Sequence, residues 1–201
     1  MGRKIEETEH IYHYTKVCNL FPILLSRKLK MSKMEETNDP KERLKYFEGI
    51  LRRNFFDSEH ECIQLLEEFM NNYPTVTCFS GDSKNKKGFN LPLMWAHYAD
   101  NHKGVCLKIN TRKFYRENEN LGCNFRWVKY VSKEKFNWFE ISEETTKDEI
   151  LEKLVFSKRD DWSSENEWRL FSLDGIEFCS IAGSLELIIL GLDSYASDST
   201  V

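Results

Sequence analysis

Glu165, Glu167 and Arg169 stand at alternate positions in Trp162-Ser-Ser-Glu165-Asn-Glu167-Trp168-Arg169-Leu170-Phe171. Read as an extended strand, this stretch puts the two carboxylates and the guanidinium on one face, with Trp168 and Leu170 on the other. The apolar pair draws the strand inward, and charges are rarely carried near a core unless they are paired or chemically used. The chemistry this arrangement suits is one that needs a fixed carboxylate. The simpler alternative is an ion-pair ladder on a surface strand, which is worth little.

Two further groups offer ligand contacts. His13-Tyr14-Thr15 closes an alternating aromatic run, His10 to Thr15, that reads as a strand. A strand-end His with a nearby Thr can bond a ribose hydroxyl; the plainer reading is a half-buried His beside a helix cap. In Met94-Trp-Ala-His-Tyr98, on a predicted helix, Trp95 and Tyr98 are three apart and share a face. Such a face can stack a planar ring, or simply pack into the core, which suits Trp95 better than Tyr98. Lys158-Arg159, Asp160-Asp161 and the lysines from 84 to 87 read as solvated loop charges.

The composition limits what else is feasible. With 201 residues, 40% hydrophobic and 31% charged, the chain is expected to be one domain over 1–201. Its net charge of -4 gives no global attraction to nucleic acid or anionic membrane. No apolar run approaches membrane-spanning length, and the opening Met-Gly-Arg-Lys-Ile-Glu-Glu lacks a signal peptide's apolar stretch, so a cytoplasmic location is expected. Six cysteines without a C-x-x-C pair read as buried thiols, Cys78 and Cys106 above all, and no metal site is expected. With 9 glycines and no Gly-rich phosphate loop, the usual dinucleotide and triphosphate fingerprints are missing, as is a nucleophile elbow.

The elements that must position these residues are strands at 10–15, 75–80, 104–109, 125–131, 166–173, 176–181 and 185–191. Helices are expected after Thr15, at 91–101 and from Thr146 to about Lys158, with Asp174-Gly175 turning a terminal hairpin. Asn38-Asp-Pro40 starts a helical hairpin spanning about 40–72, and residues 132–145 read as irregular. The elements neither alternate regularly nor segregate. The fold class is therefore α+β, a mixed or mostly antiparallel sheet with flanking helices.

Tyr12-His-Tyr-Thr15, Asn38-Asp-Pro40, Cys78-Phe-Ser80, Met94-Trp-Ala-His-Tyr-Ala99, Lys103-Gly-Val-Cys106 and Glu165-Asn-Glu-Trp-Arg169 occur in this order. The set resembles the bacterial family known as domain of unknown function 2971, over about residues 10 to 192. More distantly, His-x-Thr followed by a helix with Ile23-Leu24 is similar to the start of ADP-ribosyltransferase-like toxins. That resemblance implies a split antiparallel sheet with NAD as the consumed cosubstrate. It implies that His13, Tyr14 and Thr15 meet the NAD ribose, that Tyr98, with Trp95 beside it, shelves the nicotinamide, and that Glu167, seconded by Glu165, is the transferase carboxylate. Arg169 would hold that carboxylate or contact pyrophosphate. The chain departs from the pattern in carrying two acids and in ending soon after Gly191.

Cleaving the nicotinamide–ribose bond builds an oxocarbenium-like cation, which a fixed carboxylate stabilises. The implied function is an ADP-ribosyltransferase-like enzyme acting on a nucleic acid or protein acceptor, in a toxin or antiphage role. The alternatives are a non-catalytic nucleotide- or partner-binding module on the same fold, and a metal-independent nuclease using His13, His97 and Glu167. In the transferase reading Glu167→Gln is expected to abolish turnover with folding intact, and Glu165→Gln to act more mildly.

Overall fold

A computed structural model describes residues 8–37, 64, 67–68, 71–83, 85–132 and 146–194. Its centre is a seven-stranded, wholly antiparallel sheet built from β1 (His10–Thr15), β3 (Ser32–Lys33), β4 (Thr75–Gly81), β5 (Val105–Asn110), β6 (Asn124–Trp127), β9 (Glu167–Ser172) and β11 (Leu185–Leu190). The order is β11-β5-β1-β4-β9-β6, with β3 beside β4. Two small sheets accompany it. β2 (Lys28–Lys30) pairs antiparallel with β10 (Phe178–Ser180), and β7 (Lys129–Val131) pairs parallel with β8 (Ser157–Arg159). Among the described residues the helices with both ends placed are α1 (Leu20–Ser26), α2 (Pro92–Tyr98), α3 (Thr111–Asn118) and α4 (Lys147–Val155). The architecture is α+β with a mostly antiparallel sheet, as the unsegregated pattern implied.

Alternation along the strands explains why both faces are covered. Ile11, Phe79, Leu107, Ile109, Trp168 and Leu170 form one core with Phe114 of α3. Tyr12, Tyr14 and Cys106 point the other way and pack under Leu91, Met94 and Trp95 of α2 and its approach. Full burial of each such side chain contributes about 1.5–3 kcal/mol. Because helices close both faces, every residue of β9 is buried, including Glu167 and Arg169. Phe171 meets Phe156 beyond α4, with ring centroids 6.2 Å apart.

The pairing of β1 with β4 places the site. They pair only at Ile11↔Gly81 and Tyr12↔Ser80. Beyond that point they part. β1 stays on β5 as far as Thr15↔Val105, while β4 stays on β9 as far as Thr75↔Ser172. The sheet therefore opens a wedge between two well-anchored strands.

Several local expectations change. Asp174-Gly175 does not close a hairpin, since β10 pairs with β2 and β9 with β4 and β6. Thr15 does not cap α1. Its hydroxyl accepts from the Asn19 side chain at 2.9 Å, and a 3₁₀ turn, Val17–Asn19, precedes the helix. The strand expected over 125–131 breaks at Val128, whose amide donates to the Glu167 carbonyl at 2.9 Å. The helical hairpin at about 40–72 lies outside the described residues except at a few helical positions from 64 on, as do residues 133–145. The capping box of Thr146 with Glu149 is present.

Candidate functional site

The wedge between β1 and β4 is the floor of a groove of about 640 Å³. His13 from β1, Cys78 from β4, Tyr98 from α2, Lys158 from β8, Glu165 and Glu167 all line it. Four of these, His13, Tyr98, Glu165 and Glu167, come from the constellations singled out by spacing. Lys158 does not.

The approach to β9 is not a continuous strand. Asp160–Glu165 is a 3₁₀ helix, and Asn166 adopts the left-handed conformation, φ 45°, before the strand begins at Glu167. Glu165 is therefore not on a shared strand face with Glu167. The two acids meet because the left-handed residue turns the chain between them. Asn tolerates this region better than other side chains. Its side chain locks the corner, donating to the Gly81 carbonyl at 2.6 Å and the Asp82 carbonyl at 3.2 Å. Asn166→Ala is expected to lose about 1–3 kcal/mol, from the strained φ and the lost bonds together. Urea denaturation would show it as a lowered midpoint. Asn166→Gly, which keeps the turn, should recover part of the loss.

At the centre lies a buried four-charge network. Lys158 Nζ is 3.0 Å from Glu165 Oε2 and 2.8 Å from Glu167 Oε2. Arg169 Nε donates to Glu167 Oε1 at 2.7 Å and Nη2 to Oε2 at 3.1 Å. Arg169 Nη1 donates to the Val155 carbonyl at 2.5 Å. Tyr98 donates its hydroxyl to Glu165 Oε1 at 2.9 Å. The Lys158 ammonium also lies over the Trp162 ring, 5.2 Å from its centroid. Two cations balance two anions, so the network is buried without net charge.

Its members differ electrostatically. Desolvation is the largest influence on Glu165 and raises its pKa, against the attraction of Lys158. Desolvation also pushes Glu167 upward, but Arg169 and then Lys158 outweigh it and hold that carboxyl well below the usual range. Of the two carboxyls, Glu167 is the more firmly held as an anion and Glu165 the more readily protonated. Environments that separate two carboxylates in this way define distinct acid–base roles.

His13 completes the groove. Its Nδ1 lies 3.1 Å from the Cys78 carbonyl, across the gap between the parted strands. A carbonyl only accepts, so Nδ1 carries the proton. Burial lowers the ring's pKa, opposed by that same hydrogen bond, which leaves the neutral form with Nε2 as an acceptor. Burial likewise pushes the Cys78 thiol up, and the nearby Glu167 charge adds to it, so it stays protonated.

The remaining expected contacts divide. Thr15 and Tyr14 line the groove, but the Tyr14 hydroxyl is spent on the Gly88 carbonyl at 2.7 Å. Trp95 does not line it. It packs edge-on against Tyr14, with centroids 5.1 Å apart, and donates to the Phe89 carbonyl, so it is a core residue. Arg169 is 1% exposed and faces Glu167 and Val155, so it orients the carboxylate and cannot reach a pyrophosphate in the groove. His97, on the exposed side of α2, also borders the groove. Lys158, read from sequence as a solvated charge, is 5% exposed and holds both acids. Among the described residues no cluster of His, Cys, Asp and Glu is arranged to hold a metal ion, and no helix is long and apolar enough to cross a membrane.

Fold and groove together define an α+β protein whose parted antiparallel sheet carries a buried carboxylate pair. The model of the family described as Protein of unknown function (DUF2971) matches residues 94–170. That stretch runs from α2 into β9 and contains Tyr98, Lys158, Glu165, Glu167 and Arg169; His13, Tyr14 and Thr15 lie before it. No curated protein and no solved structure matches the chain.

Proposed function

We propose that the groove binds NAD and that the protein is an ADP-ribosyltransferase-like enzyme acting on a nucleic acid or protein acceptor. The observation that carries this reading is the meeting of His13, Tyr98, Glu165 and Glu167 in one groove where β1 and β4 part. Each supplies a different service. His13 Nε2 accepts a ribose hydroxyl proton, and the half-buried Tyr98 ring offers a face for nicotinamide. Glu167, fixed by Arg169 and Lys158, places negative charge beside the ribose carbon as the glycosidic bond lengthens. Glu165, with its raised pKa, takes the proton of the incoming acceptor nucleophile. A toxin or antiphage role is compatible with this chemistry and rests on the resemblance alone.

Direct binding tests the reading before turnover is measured. Titration calorimetry with NAD should give saturable binding, weakened at least about tenfold in His13→Ala and in Tyr98→Ala, one contact of roughly 1.4 kcal/mol each. Unchanged affinity in both folded variants would move the ligand out of this groove. Absence of any NAD binding would favour a partner-binding module.

A further inference from the structure

Arg169 was the one cation whose sequence position suggested a pyrophosphate contact, and its burial against Glu167 removes it from that role. The groove nevertheless has a basic rim. Lys16, Lys28 and Lys30 line it, all three exposed, and none has an ion-pair partner among the described residues. Lys28 and Lys30 flank the buried Leu29 on β2, so strand alternation aims both toward the same side. Lys16 follows β1 directly, at the open end of the wedge. Among the described residues Glu36 is the single carboxylate lining that end, which leaves an excess of two positive charges there among those residues.

Strand register separates this rim from the acids. Glu167 pairs with Ser80, whereas β3, two residues beyond Lys30, pairs with β4 at Ser32↔Val76. Ser80 and Val76 are four residues apart, or about 13 Å of extended chain at ~3.3 Å per residue. An extended nucleotide matches this polarity, with its ribose at one end and its phosphates at the other.

We propose that Lys16, Lys28 and Lys30 form a phosphate site, so that the groove takes a ligand bearing a phosphate or pyrophosphate group. The inference rests on the reading of the groove as a ligand site and names the part of the substrate that the acids do not hold. Three ammonium groups recognise such a group as point charges, with charge-assisted hydrogen bonds that salt weakens. Because all three side chains are exposed, replacing them together by Gln leaves the fold unchanged.

The test is titration of inorganic pyrophosphate into the protein and into the Lys16→Gln/Lys28→Gln/Lys30→Gln variant, with adenosine as an uncharged control. The expected result is saturable pyrophosphate binding that weakens with added salt and falls at least about tenfold in the variant. Adenosine binding should be the same in both proteins. Equal pyrophosphate affinity in the two proteins, or none in either, overturns the phosphate site. Nicotinamide release from NAD separates this from the transferase reading. A variant with unchanged KM for NAD overturns the phosphate site and leaves the transferase standing. Lysine-dependent pyrophosphate binding by a protein that releases no nicotinamide supports the phosphate site and removes the transferase.

Discussion

Lys158→Met is expected to cost about 3–5 kcal/mol at neutral pH, the penalty of removing one partner from a buried ion network. Lys158 Nζ is the only group bonded to both Glu165 and Glu167 among the contacts described. Without it two desolvated carboxylates face each other with no cation shared between them. The pH dependence distinguishes this from simple loss of packing. Desolvation already raises the Glu165 pKa, and loss of the ammonium raises it further. A raised carboxyl contributes stability that is present below its unfolded value of 4.5 and is lost as pH rises through the folded value. The deficit of Lys158→Met should therefore shrink between pH 7 and pH 5. Urea midpoints at the two pH values measure it. A deficit that is equal at both would mean that Lys158 does not act through its charge on the two acids.

Glu167→Gln is expected to lose a similar amount, about 3–5 kcal/mol, because it leaves Arg169 and Lys158 short of an anion in a buried site. This replaces the expectation that Gln would preserve the fold. Shape is kept, but the amide nitrogen is a donor set against a second donor where the carboxylate oxygen accepted. The sign with pH is opposite to that of Lys158. Glu167 titrates below 4.5 in the folded protein, so its contribution is present above that value and is lost as pH falls toward the folded pKa. The gap between the parent protein and Glu167→Gln should be widest near neutrality and narrow below about pH 4. Pairing Glu167→Met with Arg169→Met should recover much of the loss of either alone, as replacing a buried pair by apolar side chains often does. Additive losses in the double variant would contradict the network.

What the sequence could reveal follows from how local each signal is. β1, β4, β5 and β9 were legible because runs such as His10–Thr15 and Trp168–Phe171 carry their own apolar alternation. His13, Tyr98 and Glu167 were legible because each lies on such an element. Lys158 was not. It sits in a Lys-Arg-Asp-Asp run that matches a solvated loop, and its burial comes with the parallel pairing of β8 with β7, a non-local contact, and with the acids it meets. Glu165 lines the groove from a 3₁₀ turn and not from the strand its spacing suggested, because the alternation of Glu165 with Glu167 is broken by a single left-handed residue, Asn166. The β2–β10 pairing joins segments about 150 residues apart and leaves no local trace; a good turn dipeptide at Asp174-Gly175 pointed instead to a neighbour.

In the proposed reaction the anchored carboxylate pair assists cleavage of the nicotinamide–ribose bond. The most direct measurement is nicotinamide release from NAD by the parent protein, Glu165→Gln and Glu167→Gln, at a temperature where all three are folded. Release by the parent protein is expected, with and without nucleic acid or protein acceptors compared. A fall of at least about 100-fold is expected in Glu167→Gln, the usual effect of removing one preorganised electrostatic group, and a smaller fall in Glu165→Gln. Parent-level release by folded Glu167→Gln, or no release by the parent protein with any acceptor, would contradict it.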